Sequence, residues 1–332
     1  MSKNLLTIPW LVILLYSCVS TTPKSNIKGQ NNAVNTNVAQ VDLPEDRKPI
    51  SLTDLPQTED GGFVLSPGYY EAEFKTYCLQ PGTPDPSPRD AYLQAPVSGY
   101  RKEIVETVLT NSSRKPGIEQ RHVQLLLWSV VSGSNFNKLS RSVQADALQL
   151  LTPKQVFELK GGVMGVVKTV SSIIPNEFSN GYNEIQRLFE IGSASYEAYE
   201  KIAVLREHSQ IKRADFKNEQ WYKQKDNYYV RYFPVSYKKV RVQVYVPDDL
   251  IDSTGKVSGE YLVFDPTASQ AIPANSNAQR LGIGGTVLDI VRVIIKVNKQ
   301  TNPPPSRFPE KKKTKPEPTK FPENSKTSKT AS

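Results

Sequence analysis

The chain has 332 residues, a formal net charge of +9 at pH 7, two histidines and two cysteines. That histidine and cysteine count leaves the familiar His- or Cys-based metal sites without ligands, so no metal and no cofactor is expected. The positive charge does not point to nucleic acid: Lys299 to Ser332 carries nine basic and three acidic side chains, so most of the excess lies in that tail. No nucleic-acid recognition motif is present either.

The chain opens MSKNLLTIPWLVILLYSCVSTT. Lys3 precedes an apolar run from Leu5 to Leu15 that is too short for a membrane span and suits the core of a signal peptide. Leu15-Tyr16-Ser17-Cys18 then resembles the lipobox of bacterial lipoproteins. The resemblance implies removal of residues 1–17 as a signal peptide and lipidation of Cys18, so that acyl chains such as palmitate hold the protein to a membrane. Val19, Ser20 and Thr21 include no early acidic residue, which favours the outer membrane of the cell envelope. Residues 18–62 are rich in Thr, Asn, Gln, Ser and Pro and bury too little to offset their ordering entropy. They read as a flexible tether.

Next, Tyr69 to Cys78 alternates, with Tyr70, Ala72, Phe74, Thr76 and Cys78 on one face and Glu71, Glu73 and Lys75 on the other. This pattern predicts a half-buried strand with Cys78 at its inward end. The proline-rich PGTPDPSP is a rigid loop. Helices are then predicted with Ile104, Val105, Val108 and Leu109 on one side, and with Val123, Leu127, Val130 and Val131 on one side before a stop near Gly133. Thr152, Pro153 and Gln155 form a helix-start signal that Gly161-Gly162 closes. After the apolar VMGVVKTVSSIIP, a long helix is expected from about Tyr182 to His208. From Trp221 the period becomes two, and Val240, Val242, Val244 and Val246 predict a strand with one wet face. GEYLVFDPTA adds a short strand, and LGIGGTVLDIVRVIIKV is an apolar run of either type. Its glycines do not follow the dinucleotide-binding spacing.

The fold class expected from these elements is α+β, with a mainly helical middle and a smaller antiparallel-sheet part. A strand-plus-helical domain spans 63–210, a strand-rich region 211–298 and a disordered Pro/Lys-rich tail 299–332. The tail suits contact with an anionic envelope polymer or an acidic protein, or serves as a solvated spacer. Oligomeric state is not legible.

Chemistry is sparse. If Cys18 is lipidated, Cys78 has no partner within the chain. A Cys78–His122 nucleophile pair is conceivable, although its flanks match no cysteine-protease signature. Scattered carboxylates leave room for a hydrolase without marking which of them would act. Tyr77-Cys78-Leu79, taken with Gln124-Leu125-Leu126-Leu127-Trp128, resembles the thioester domains of Gram-positive surface adhesins. In that family an aromatic-Cys-aliphatic element ends a strand, and a later helix reads Thr-Gln-x-Ala-aliphatic-Trp. The resemblance implies an internal thioester between Cys78 and Gln124 that acylates an amine or hydroxyl on a target. Val123 and Leu126 stand where the family has threonine and alanine. The simpler alternative makes Cys78 a buried free thiol, packed as a small hydrophobe, and Gln124 an exposed helix position. The sequence therefore gives an envelope lipoprotein with a structural or interaction role, with covalent attachment through Cys78 and Gln124 and a hydrolase as alternatives.

Overall fold

The strands occur on both sides of a helical stretch, and that placement decides the architecture. β1 (Val38–Ala39), β2 (Ile50–Ser51), β3 (Gln57–Thr58), β4 (Phe63–Val64), β5 (Gly68–Cys78), β6 (Thr83–Pro84) and β7 (Tyr92–Pro96) come first. The helices α1 (Lys102–Arg114), α2 (Gln120–Ser132), α3 (Arg141–Leu150), α4 (Pro153–Leu159), α5 (Ser179–Ile191) and α6 (Tyr196–Ala203) follow. β8 (Val204–Leu205), β9 (Trp221–Lys223), β10 (Tyr229–Ser236), β11 (Lys239–Val246), β12 (Val263–Phe264), β13 (Ser269–Pro273), β14 (Leu281–Thr286) and β15 (Ile294–Ile295) complete the chain order. This computed structural model describes residues 38–39, 48–99, 101–161, 179–192, 194–206, 220–288 and 294–295, all within the unit Met1–Lys296. The signal segment with Cys18, the stretch VMGVVKTVSSIIP and the tail 299–332 lie outside the described residues.

The expectation of a helical body with a smaller sheet is overturned. Nine strands form one sheet in the order β1-β9-β10-β11-β5-β14-β13-β7, with β2 beside β5. All its pairings are antiparallel except β2 with β5. The last strand, β7, returns against β10, so the sheet is barrel-like and nearly closed. Strand β5 lies at its middle, between β11 and β14, although some 160 residues of chain separate β5 from β11 in sequence. Periodicity identifies a strand but not its partner, which is why a sheet assembled from both ends of the chain looked like two small pieces.

Local readings fared differently. The inward alternation of β5 holds, and Val240, Val242, Val244 and Val246 are fully buried along β11. Thr152 makes both halves of the capping box that opens α4, with Pro153 in its first turn. Gly133 ends α2 in the left-handed conformation at φ 74. The long helix expected from Tyr182 to His208 is instead two, because α5 stops at Ile191 and Ser195 caps α6 afresh. The tether expected to run to residue 62 also ends early: Ile50–Ser51 pairs with β5, and Leu52 is completely buried. A lone pair of apolar residues in a polar segment gives no periodic signal, yet it suffices once a sheet edge is present to receive it.

Two of the helices, α1 and α2, pack directly on the sheet. α1 lies on β14, where glycine is required. A Cβ on Gly285 would meet the Ser113 backbone at 3.0 Å, and one on Gly282 would meet the Leu109 side chain at 2.9 Å. The glycines of LGIGG thus serve helix–sheet packing. α2 lies against β5 and is itself flanked by α3 and α5.

Candidate functional site

The site begins where β5 outruns its neighbour. The β10–β11 hairpin turns at Tyr237-Lys238, and its tip docks on Thr76. The Thr76 N–H donates to the Lys238 carbonyl at 2.9 Å, and the Thr76 hydroxyl donates to the Tyr237 carbonyl at 2.9 Å. On the other edge, Cys78 keeps its partner Leu281 of β14. Beyond the hairpin tip, among the described residues, no strand pairs with the β11-facing edge of Cys78. Buried backbone amides without partners are costly.

Two glutamines of α2 fill that gap. Gln120 and Gln124 are one turn apart on the same face. Gln120 Nε2 donates to the carbonyls of Thr76 at 3.0 Å and Lys238 at 2.7 Å. Gln124 is engaged twice: the Cys78 N–H donates to its Oε1 at 2.8 Å, and its Nε2 donates to the Cys78 carbonyl at 3.0 Å. The side-chain amide therefore stands in for a strand residue opposite Cys78. Gln124 is 1 % exposed and Cys78 0 %, so the reading of Gln124 as an exposed helix position does not hold. The structure brings Cys78 and Gln124 together across 46 residues of sequence.

The surroundings of the thiol are dry and aromatic. Trp128, one further turn along α2, is fully buried and stacks over Tyr196 at 5.7 Å and Tyr237 at 6.5 Å. Its indole N–H makes no hydrogen bond of ordinary geometry. Burial pushes the Cys78 thiol up to about 12, and the nearby Trp128 indole and Gln80 backbone offset only part of that rise. On the far side Tyr182 of α5 donates to the Leu79 carbonyl at 3.2 Å. The crossing of α5 over the loop after β5 is close enough that a Cβ on Gly181 would lie 2.5 Å from Gly82 Cα.

Above Gln124 a cleft of about 480 Å³ opens to solvent, walled by Thr76, Gln120, Tyr196, Tyr237 and Lys238. Glu200 of α6 stands behind these tyrosines. It accepts from the Tyr237 hydroxyl at 2.5 Å and pairs with Lys238 at 3.0 Å and Arg206 at 3.2 Å. The Tyr196 and Tyr237 hydroxyls are 2.9 Å apart. Burial pushes the Glu200 carboxyl up, but the Tyr237 hydroxyl and the Lys238 and Arg206 cations more than offset it, so it lies below the usual carboxylate range. Burial first, and the Glu200 carboxylate second, hold the Tyr237 hydroxyl far above its ordinary value. It therefore stays a donor.

His122 is not brought to Cys78. Two positions before Gln124 on a helix, it points to the opposite side of α2, where its Nδ1 meets Asp146 of α3 at 2.6 Å. Among the described residues no group of three or more His, Cys, Asp or Glu side chains could hold a metal ion. No family model, curated protein or solved structure matches the chain.

Sequence reading missed the Tyr237-Lys238 tip and the Tyr196 and Glu200 wall. The hairpin tip had a usable signal: SYKK interrupts two alternating strands. Glu200 had none, since its role depends on where α6 lands.

Proposed function

We propose that the protein attaches covalently to a partner through an internal thioester between Cys78 and Gln124, acting from a lipid anchor at Cys18 on the cell envelope. The observation that carries this reading is the paired hydrogen bonding of the Gln124 amide to the Cys78 backbone, in a buried site beneath an open cleft.

The chemistry follows from that geometry. In thioester formation Cys78 Sγ bonds to Gln124 Cδ, the Cδ–Nε2 bond breaks, and the thiol proton leaves with nitrogen as ammonia. Charge develops on Oε1 in the transition state. The Cys78 N–H already lies 2.8 Å from that atom, within the range at which an oxyanion donor acts. A thiol raised to about 12 is poorly ionised near neutrality, so its proton is best passed directly to the departing nitrogen. Burial of both residues then shields the product from bulk water, while the cleft leaves one direction of approach for a nucleophile. An amine or hydroxyl entering there takes the acyl group and returns the proton to Cys78 sulfur.

The same hydrogen bonds also serve as a cap for a strand edge, which is all they do in a non-catalytic interaction protein. Intact mass separates the two. The thioester form is lighter by one ammonia, gains methylamine on treatment, and then exposes a thiol on unfolding. Cys78→Ala and Gln124→Ala variants should both keep the full mass. A freshly purified chain at full mass, with its thiol titrating on unfolding before any amine is added, leaves only the cap. The anchor is tested separately: Cys18→Ala should move the protein from membrane to soluble fractions.

A further inference from the structure

A thioester facing an open cleft is exposed to the protein's own amines before any partner arrives. Among the described residues lining that cleft, Lys238 carries a primary amine. It sits on the hairpin tip whose backbone is tied to Thr76 and Gln120, the neighbours of Cys78 and Gln124 in strand and helix. Its backbone is thus fixed beside the reactive pair, and only its side chain decides whether Nζ reaches the acyl carbon.

Three contacts hold that side chain elsewhere. Nζ lies 3.0 Å from Glu200 Oε1, 5.3 Å from the Tyr237 ring centre and 5.6 Å from the Tyr196 ring centre. Glu200 is itself fixed by the Tyr237 hydroxyl and by Arg206, which also pairs with Asp85 at 2.7 Å. The carboxylate is a charged anchor, and the two rings attract the ammonium through their faces. A partly exposed ion pair contributes little to folding, but here it sets the position of a competing nucleophile.

Resting on the thioester reading above, we infer that Glu200 is a positioning residue that holds the Lys238 amine away from the Gln124 acyl carbon and so preserves the thioester for an external partner. Without that hold the Lys238 nitrogen bonds to Gln124 Cδ, the Cδ–Sγ bond breaks, and the amine proton passes to Cys78 sulfur. The product is an internal isopeptide with a free thiol. It has the same mass as the thioester, so mass alone does not distinguish them.

The experiment compares full-length wild type, Glu200→Gln and the double variant Glu200→Gln/Lys238→Arg, each probed with methylamine, thiol alkylation after unfolding, and peptide mapping. Wild type should be lighter by ammonia, take up methylamine and show no cross-link. Glu200→Gln should also be lighter by ammonia but lose methylamine uptake, alkylate at Cys78 without amine treatment, and yield a peptide joining Gln124 to Lys238. The double variant should recover methylamine uptake, which a merely unfolded or hydrolysed site would not. The inference is overturned if Glu200→Gln keeps its methylamine-sensitive bond as long as wild type, or if wild type already carries the cross-link. A wild-type chain that keeps its ammonia removes the thioester reading and this inference together.

Discussion

Strand β5 passes through two environments, and the contrast between them explains the site. From Tyr70 to Lys75 it has one dry face and one wetter one. The wetter face carries Glu71, Glu73 and Lys75 beside Arg241 and Lys239 of β11, and the pairs Lys239–Glu73 and Arg241–Glu71 are partly open to solvent. From Thr76 to Cys78 every residue is buried, Tyr77 included. At the wet end the polar groups are side chains that water can replace. At the dry end they are backbone amides that water cannot reach, so each needs a particular protein partner. A side-chain amide is the natural partner because it offers both a donor and an acceptor side by side, as a peptide does. The same property that lets Gln124 cap the strand holds its amide against the backbone of the buried cysteine.

The contrast is broken most severely by removing what keeps the dry end dry. Trp128→Ala empties a fully buried site and should cost about 3–5 kcal/mol, read as a lower midpoint in urea with an altered thiol reactivity at Cys78. Next comes Gln124→Leu, which keeps the volume but leaves the Cys78 N–H and C=O unpaired. At roughly 1–3 kcal/mol per orphaned group, a loss of about 3 kcal/mol is expected, together with faster amide exchange at Cys78. At the wet end Arg241→Ala removes the pair with Glu71 at 3.3 Å, and the loss should be no more than about 1 kcal/mol. Equal losses from Gln124→Leu and Arg241→Ala would erase the distinction between the two ends.

Acid titration gives the smallest effect and sharpens the boundary. The Glu200 carboxyl lies below its usual 4.5 in the folded chain. A depressed folded value adds stability that is complete above the unfolded value and is lost as pH falls through the folded one. Wild type should therefore lose stability faster than Glu200→Gln below about pH 4.5, and the two should run parallel above it. Parallel curves throughout would mean that Glu200 is not held by Tyr237, Lys238 and Arg206 as the structure has it.

Much of the local structure was legible. The alternation in YYEAEFKTYC placed Cys78 on the inward face, the Val240–Val246 run showed its dry side, and Thr152-Pro153-x-Gln155 announced a helix start. Each signal is carried by residues a few positions apart, and each rests on backbone geometry that repeats over that range. The size of the sheet was not legible, since nothing in KKVRVQVY says that it will pair with YYEAEFKT rather than with a closer strand. The split of the expected long helix turned on the end of α5 at Ile191 and the fresh cap at Ser195, which the apolar pattern does not mark.

At the candidate site the division is the same. The aromatic-Cys-aliphatic strand end and the Gln-x-x-x-Trp helix could be read from their own residues, because side-chain type and helical spacing are local properties. That Gln124 is buried against Cys78, with Tyr237 and Lys238 beside it and Glu200 holding Lys238, came from folding alone. The physical reason is the early turn of the β10–β11 hairpin: it leaves one edge of Cys78 to be satisfied by a side chain while β14 keeps the other, and only the packed molecule determines which side chain takes that place.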